Sequence, residues 1–278
     1  MAARRRQLAH LRSFTILTLG AVIMLAPYVV MLSTSLKSQE QLFAATFQLI
    51  PSPLHWKENF SRALLEVPLG RFMLNGVVVC AGILVVQVLT AVPCAYVLAK
   101  IDFRGRETLF AIVLAALLIP HQVTAIPVYV VLASGNLLDT FLALIAPFST
   151  SAFAIFLFRQ FFRGIPDDLV NAARVDGMSE WTIVWRVIMP LAYPAITAFS
   201  IFSIVAHWND LFWPMVVVTT PEMSTPPLGV LFFRDQESGG SQGALMAGTV
   251  IITAPLILAF LFAQKKFIDG LTMTGLKG

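Results

Sequence analysis

The chain has 278 residues, 58% of them apolar and 12% charged, about half the charged share of an ordinary soluble domain. The apolar residues come in uninterrupted blocks rather than one-sided stripes, which excludes a soluble globular protein. The net charge of +4 follows the placement of basic residues between those blocks, so it does not indicate a nucleic-acid partner.

Six blocks are long enough to cross ~30 Å of hydrocarbon, which takes about 20 helical residues. The first runs over 14–32, behind Arg4, Arg5 and Arg6. It exceeds the roughly 7–15 apolar residues of a signal peptide, so it is expected to remain as the first helix. A long external segment follows, with Pro51, Pro53 and Trp56. The second block, 72–98, holds both cysteines, Cys80 and Cys94. Helix geometry separates them by about 21 Å, beyond disulfide reach. The third block is 109–132, the fourth 140–158, the fifth 195–218 and the sixth 244–263. Only the fifth contains a charged residue, Asp210. A helix satisfies its own backbone groups in lipid. The predicted fold is therefore all-α: a polytopic membrane bundle of six transmembrane helices in one domain spanning 1–278, with an internal loop at 159–194.

The basic residues sort by side. Fourteen fall at the N-terminus, in the second–third and fourth–fifth loops and at the C-terminus; five (Lys37, Lys57, Arg62, Arg71, Arg234) fall on the other side. Basic residues stay cytoplasmic, which predicts that both termini are inside.

The internal loop predicts a short helix, a turn and a second helix. Pro166 suits a first helical turn, and Asp167 and Asp168 favour the positive end of a helix dipole. Leu169, Ala172 and Ala173 share one face at i, i+3 and i+4, where small residues allow a partner to come close. Gly177 is placed to end the helix, and Ser179 to cap a second one running to about Met189. Pro190 and Pro194 bracket the return into the membrane.

This segment resembles the cytoplasmic Glu-Ala-Ala motif of bacterial ABC importer permeases, through Asn171-Ala172-Ala173, Gly177 and Ile188-Met189-Pro190. Asn171 stands where Glu is usual. Ser33-Thr-Ser-Leu-Lys37, Leu118-Ile-Pro-His-Gln122, Trp208-Asn-Asp-Leu-Phe-Trp-Pro214 and the ending from Gln264 are similar to the carbohydrate subgroup that serves maltose, other sugars and glycerol phosphate. The resemblance implies one permease half working with a second, homologous permease, two ATPase subunits and a periplasmic or lipid-anchored solute-binding protein, in the bacterial inner membrane and its lipid. It assigns ATPase coupling to Leu169, Asn171, Ala172, Ala173, Asp176, Gly177 and Pro190. It sends a C-terminal tail with Gly270, Thr272 and Lys277 into the ATPase dimer. ATP and Mg would be bound by the partner ATPase subunits, with no cofactor in this chain; the P-loop pattern G-x-x-x-x-G-K-[ST] is absent from it.

Candidate path residues are the polar groups at membrane depth. Gln122 lies thirteen residues, about 20 Å, into the third span, and Asn209 and Asp210 roughly 21–22 Å into the fifth. Ser149, Thr150 and Ser151 fall near the middle of the fourth. Structural roles compete: Asp210 as a cap near the interface, Trp208 and Trp213 as an aromatic belt, the hydroxyls as helix glue. His121 fits a core or path-lining role better than a metal site, because no ligand-spaced partner accompanies it. No paired acids or His/Cys/Asp cluster points to catalysis by this chain. No Lys or Arg lies within a span, which tilts the solute toward a neutral sugar over sn-glycerol-3-phosphate. An ion-coupled secondary transporter is the further alternative; inverted repeats or charged relays, its usual marks, are not evident.

Overall fold

The computed structural model describes residues 2–46, 48–231 and 241–275, with side chains described from 10 to 261. The described residues are mostly helical and contain no strand. They form two units, residues 1–69 with 230–255 and residues 70–229 with 256–278.

In the first unit, α1 (Ala2–Ser35) has a membrane-length apolar stretch at His10–Ser35. Leu17 and Met24 are more than two-thirds exposed, as suits a helix that is apolar all round and faces lipid or another chain. Its last carbonyls need partners, and α2 (Trp56–Leu65) supplies one side chain for them. Buried Asn59 donates its amide to the carbonyls of Ser35 (2.9 Å) and Lys37 (2.8 Å). Ser33 donates to the Leu49 carbonyl at 2.6 Å. The Ser33–Lys37 motif is thus the C-terminal end of α1, tied to the segment that follows it.

The second unit is organised on α3 (Leu69–Lys100), which belongs to it from Gly70 onward. Two apolar clusters pack along this helix. One surrounds Val79 and Ile83, the other Ala91, Val92, Ala95 and Tyr96 toward the Lys100 end. Gly82 permits the close approach of Ile145, whose Cδ1 lies 2.6 Å from where a Cβ would sit. Gln87 is buried between the clusters. It accepts from the Ser203 hydroxyl at 2.7 Å and contacts the His207 ring nitrogen at 3.4 Å.

The third predicted span is not one helix. It is α4 (Arg106–Ala116) and α5 (Ala125–Ser134), separated by turns over 117–124. The cause is Pro120, whose ring excludes the carbonyl of residue i−4, and α4 ends at that residue, Ala116. The N–H groups of Leu117, Leu118 and Ile119 bond three residues back instead. The fourth span is also interrupted. α6 (Phe141–Ile145) runs into a tight turn at Ala146–Phe148, and α7 (Ala152–Arg163) restarts after it, bent by 47° and extending past the predicted end at 158. Thr140 and Ser151 cap the two pieces, accepting from Ala143 and Ala154 at 3.1 Å.

The internal loop folds as α8 (Asp167–Val175) and α9 (Glu180–Ile183). The predicted second helix does not stay regular to Met189: it widens into a π turn at Val184–Ile188 before Met189–Leu191. An 80° bend at Ala192, between Pro190 and Pro194, leads into α10 (Tyr193–Trp208). α11 (Phe212–Val217) and α12 (Pro226–Leu231) follow. The fifth predicted span, 195–218, is therefore split at Asn209. The last helix, α13 (Gln242–Gly275), carries the sixth apolar stretch.

Candidate functional site

Two features of the second unit could carry function: the α8–α9 hairpin at the Lys100 end of α3, and a cavity where the interrupted spans meet.

The hairpin ends α8 as the composition predicts. Gly177 has φ +79°, and the N–H groups of Gly177 and Met178 bond to the carbonyls of Arg174 and Ala173 at 3.0 Å. This 5→2 and 6→1 pairing is a Schellman cap. A Cβ at Gly177 would meet nothing, so substitution there costs backbone strain alone. Ser179 caps α9, accepting from Thr182.

Ala173 needs a correction. It does not share a free face with Leu169 and Ala172. It is 6% exposed and, with Val170, packs into the cluster of Tyr96, Phe158, Phe162 and Ile183. The helix turns that stripe toward the body of the unit because Val170 and Ala173, spaced i and i+3, are its apolar side. The exposed face instead carries Leu169, Ala172, Val175 and Asp176, with Val175 87% exposed. Trp181, 63% exposed and edge-on to Trp185, extends this apolar surface, and Pro190 is exposed further along. Val175 and Trp181 were not anticipated. Their signal was their position, three residues beyond Ala172 and just past the turn.

Polar contacts clamp the hairpin to α3. Lys100, its side chain 3% exposed, donates from Nζ to the Ile165 carbonyl and to Asp167 Oδ1, both at 2.5 Å. The hydrogen bond and charge of Lys100 hold the Asp167 carboxyl below its usual range. Arg174 donates to Glu180 at 2.7 Å and 3.3 Å and to Asn171 Oδ1 at 3.2 Å. The Tyr96 hydroxyl donates to Glu180 at 2.5 Å. The Arg174 bond holds the Glu180 carboxyl below its ordinary range, and that bond also raises the guanidinium. Asn171, in the position where the resemblance expects Glu, thus accepts from an arginine neutralised by Glu180. Nearby, Arg159 is 2% exposed, lies 3.7 Å above the Phe110 ring, and donates to Glu107 at 2.8 Å and 3.0 Å and to the Leu98 carbonyl.

The predicted path residues separate. Gln122 is exposed on the turns after Pro120. Ser149 is half-buried, its carbonyl accepting from Thr90 at 2.9 Å. Asn209 is exposed and ends α10, its amide returning to the Val205 carbonyl at 2.7 Å. Asp210 accepts from the Trp213 N–H at 3.3 Å and so leads α11. A cavity of about 190 Å³ is lined by His121, Thr124, Ala125, Val128, Pro147, Phe148, Thr150 and Trp213. A recess of about 10 Å³ is bordered by Phe148, Trp213, His207, Asp210 and Thr225, among others. Of the predicted path residues, Thr150 and His121 line the cavity and Asp210 borders the recess, whereas Gln122, Ser149 and Asn209 line neither. His207, Ser203 and Gln87 were missed because each is a single polar residue in an apolar block. The i, i+4 spacing of Ser203 and His207 was the available signal. Among the described residues no group of three or more His, Cys, Asp or Glu could hold a metal. Gly270 and Thr272 lie on the last turns of α13, where side chains fall outside the described residues; Lys277 lies outside them altogether.

Residues 91–272 match the family described as binding-protein-dependent transport system inner membrane component. The arabinooligosaccharides transport system permease protein AraQ of Halalkalibacterium halodurans is 35% identical over 73% of this chain and 73% of its own length. The sn-glycerol-3-phosphate transport system permease protein UgpE of Yersinia pestis is 30% identical over 92% of this chain and 93% of its own. A solved bacterial ABC transporter involved in import of the acidic polysaccharide alginate shares the fold, with a TM-score of 0.82 at 24% identity over 95% of this chain and 98% of that one.

Proposed function

This chain belongs to the family of binding-protein-dependent transport system inner membrane components, and from that premise we propose that it is one permease half of an ATP-driven importer for a neutral sugar or oligosaccharide. Membership makes it a multi-pass inner membrane transport protein rather than an enzyme, working with a solute-binding protein. The finer reading pairs it with a second, homologous permease and two ATPase subunits that bind ATP and Mg. Both termini then lie in the cytoplasm and the chain crosses the membrane six times, with the interrupted helices counted as three crossings. The C-terminal tail that holds Gly270, Thr272 and Lys277 is the segment that would reach the ATPase pair.

The observation that carries this reading is the hairpin: a Schellman-capped helix that exposes Leu169, Ala172 and Val175 beside Trp181 while clamped to α3 by Lys100 and Tyr96. An exposed apolar face on a rigidly held helix suits docking into a groove of another protein. Because the clamp is polar and short, displacement of the hairpin by the ATPase is passed to α3, a two-state bias of the kind coupling requires. Asn171, Asp176, Gly177 and Pro190 shape this element; Ala173 holds it from inside.

The neutral-sugar assignment rests on AraQ-like relatives and on the residues lining the cavity, none of which is Lys or Arg. The likeness to UgpE supports sn-glycerol-3-phosphate as the second reading. An anionic phosphate would call for basic groups, and the cavity lining holds no Lys or Arg.

The test is to co-purify the transporter with Ala172→Asp or Val175→Asp. A charge buried without a partner costs on the order of several kcal/mol, more than a hundredfold in affinity. The expected result is loss of the ATPase subunit and of solute-stimulated hydrolysis, with the permease still inserted. Normal retention and normal stimulation would overturn the coupling role.

A further inference from the structure

Three interruptions of membrane helices converge on one hollow. The turns after Pro120 contribute His121 and Thr124, the break after α6 contributes Phe148 and Thr150, and the segment past the break at Asn209 contributes Trp213. In hydrocarbon, irregular backbone is tolerated only where it is buried in protein or lines a cavity. Discontinuous helices that meet at one point commonly form the solute site of a transporter. Three breaks around a single cavity are more than bundle packing requires.

The lining has the chemistry of a carbohydrate. Phe148 lies within 6.3 Å of His121, 4.7 Å of His207 and 6.3 Å of Trp213, ring centre to ring centre, forming aromatic walls for the C–H faces of a sugar. His121, Thr124 and Thr150 add polar groups for hydroxyls, and all three are exposed rather than packed away. The recess of about 10 Å³ beside Phe148 has room for one water or one hydroxyl. It is bordered by His207, Asp210 and Thr225, and the buried Thr225 Oγ1 has no hydrogen-bond partner among the described residues. A buried hydroxyl without a partner is costly, which favours a polar occupant there.

Resting on the sugar-importer reading above, we propose that this chain itself holds one neutral glycosyl ring of the solute in this cavity, packed against Phe148 and hydrogen-bonded through His121, Thr124 and Thr150. The volume of about 190 Å³ lies below the roughly 300–1,000 Å³ of drug-sized pockets, which matches a single ring rather than an oligomer. No Lys or Arg lines it and Asp210 borders the recess, which disfavours a phosphate.

The experiment uses the complete transporter in lipid nanodiscs, with the two native cysteines removed (Cys80→Ala, Cys94→Ala) and Thr150→Cys introduced. Labelling by a small polar thiol reagent is followed with the neutral sugar that the unmodified transporter takes up, and with glycerol 3-phosphate. Protection by the sugar alone, which slows labelling by loss of access behind the bound ring, supports the proposal. Equal labelling with and without sugar, or protection by glycerol 3-phosphate alone, overturns it. Uptake by Phe148→Tyr should persist while Phe148→Leu loses most of it; equal uptake by both variants also overturns the proposal. If Phe148→Leu does not assemble, the labelling result decides. A transporter that takes up no sugar at all overturns the importer reading and this site with it, whereas uptake with unprotected labelling overturns only the site.

Discussion

Glu180 accepts two hydrogen bonds from Arg174 and one from the Tyr96 hydroxyl, so one carboxylate joins α3, α8 and α9. Its carboxyl is held below the ordinary glutamate range by the Arg174 bond, which outweighs partial burial. A depressed carboxylate contributes stability that is present above its unfolded value of about 4.3 and is lost as pH falls through the folded value. Thermal unfolding of the solubilised permease should therefore fall steeply in midpoint below about pH 4. Glu180→Gln should start lower at neutral pH and show a shallower acid limb; Asp167, still paired with Lys100, and Asp139, bonded by Thr219 and Thr220, contribute to the remaining slope. Parallel curves for the two proteins would show that Glu180 does not clamp the hairpin. At this scale the sequence identified Gly177 and Ser179 correctly, because caps are local chemistry. It could not show which side of α8 faces inward, since Leu169, Ala172 and Ala173 are all compatible with either side.

The element that most changes the reading of the chain is the pair α4 and α5. Hydropathy gives 109–132 as one block, because Pro120 and its apolar neighbours do not lower the average. The break follows from Pro120, and it persists because the turns at 117–124 open onto the cavity. Pro120→Ala restores an N–H and removes a ring clash together worth about 3 kcal/mol in a helix interior. The expected outcome is slower amide exchange over 117–124 as α4 lengthens, together with reduced solute uptake by the assembled transporter. Unchanged exchange would mean that the cavity, and not the proline, imposes the break.

For the whole molecule, the arrangement to be decided is the side on which each loop lies. The sorting of fourteen basic residues against five predicts that the α8–α9 hairpin and both ends of the chain are cytoplasmic. A fluorescent reporter that folds only in the cytoplasm should be bright when fused after Gly278 or before Met1. A reporter active only outside should be silent at both ends. An external signal from one end alone would mean an odd number of crossings, and from both ends an inverted orientation; either result would refute the six-crossing topology with both ends inside.

Composition alone determined that this is a helical membrane protein, because uninterrupted apolar blocks have no other stable solution in lipid. Spacing alone located the internal hairpin and its caps, because helix starts and stops depend on residues within a few positions of each other. Tertiary structure decided the rest. It turned Ala173 inward and left Val175 and Trp181 free, since only packing against Tyr96 and Phe158 selects one face of α8. It brought Gln87, Ser203 and His207 together and gathered His121, Phe148, Thr150 and Trp213 around one hollow. Those residues lie on different interrupted helices, and a contact between distant segments leaves no periodic signal in either of them.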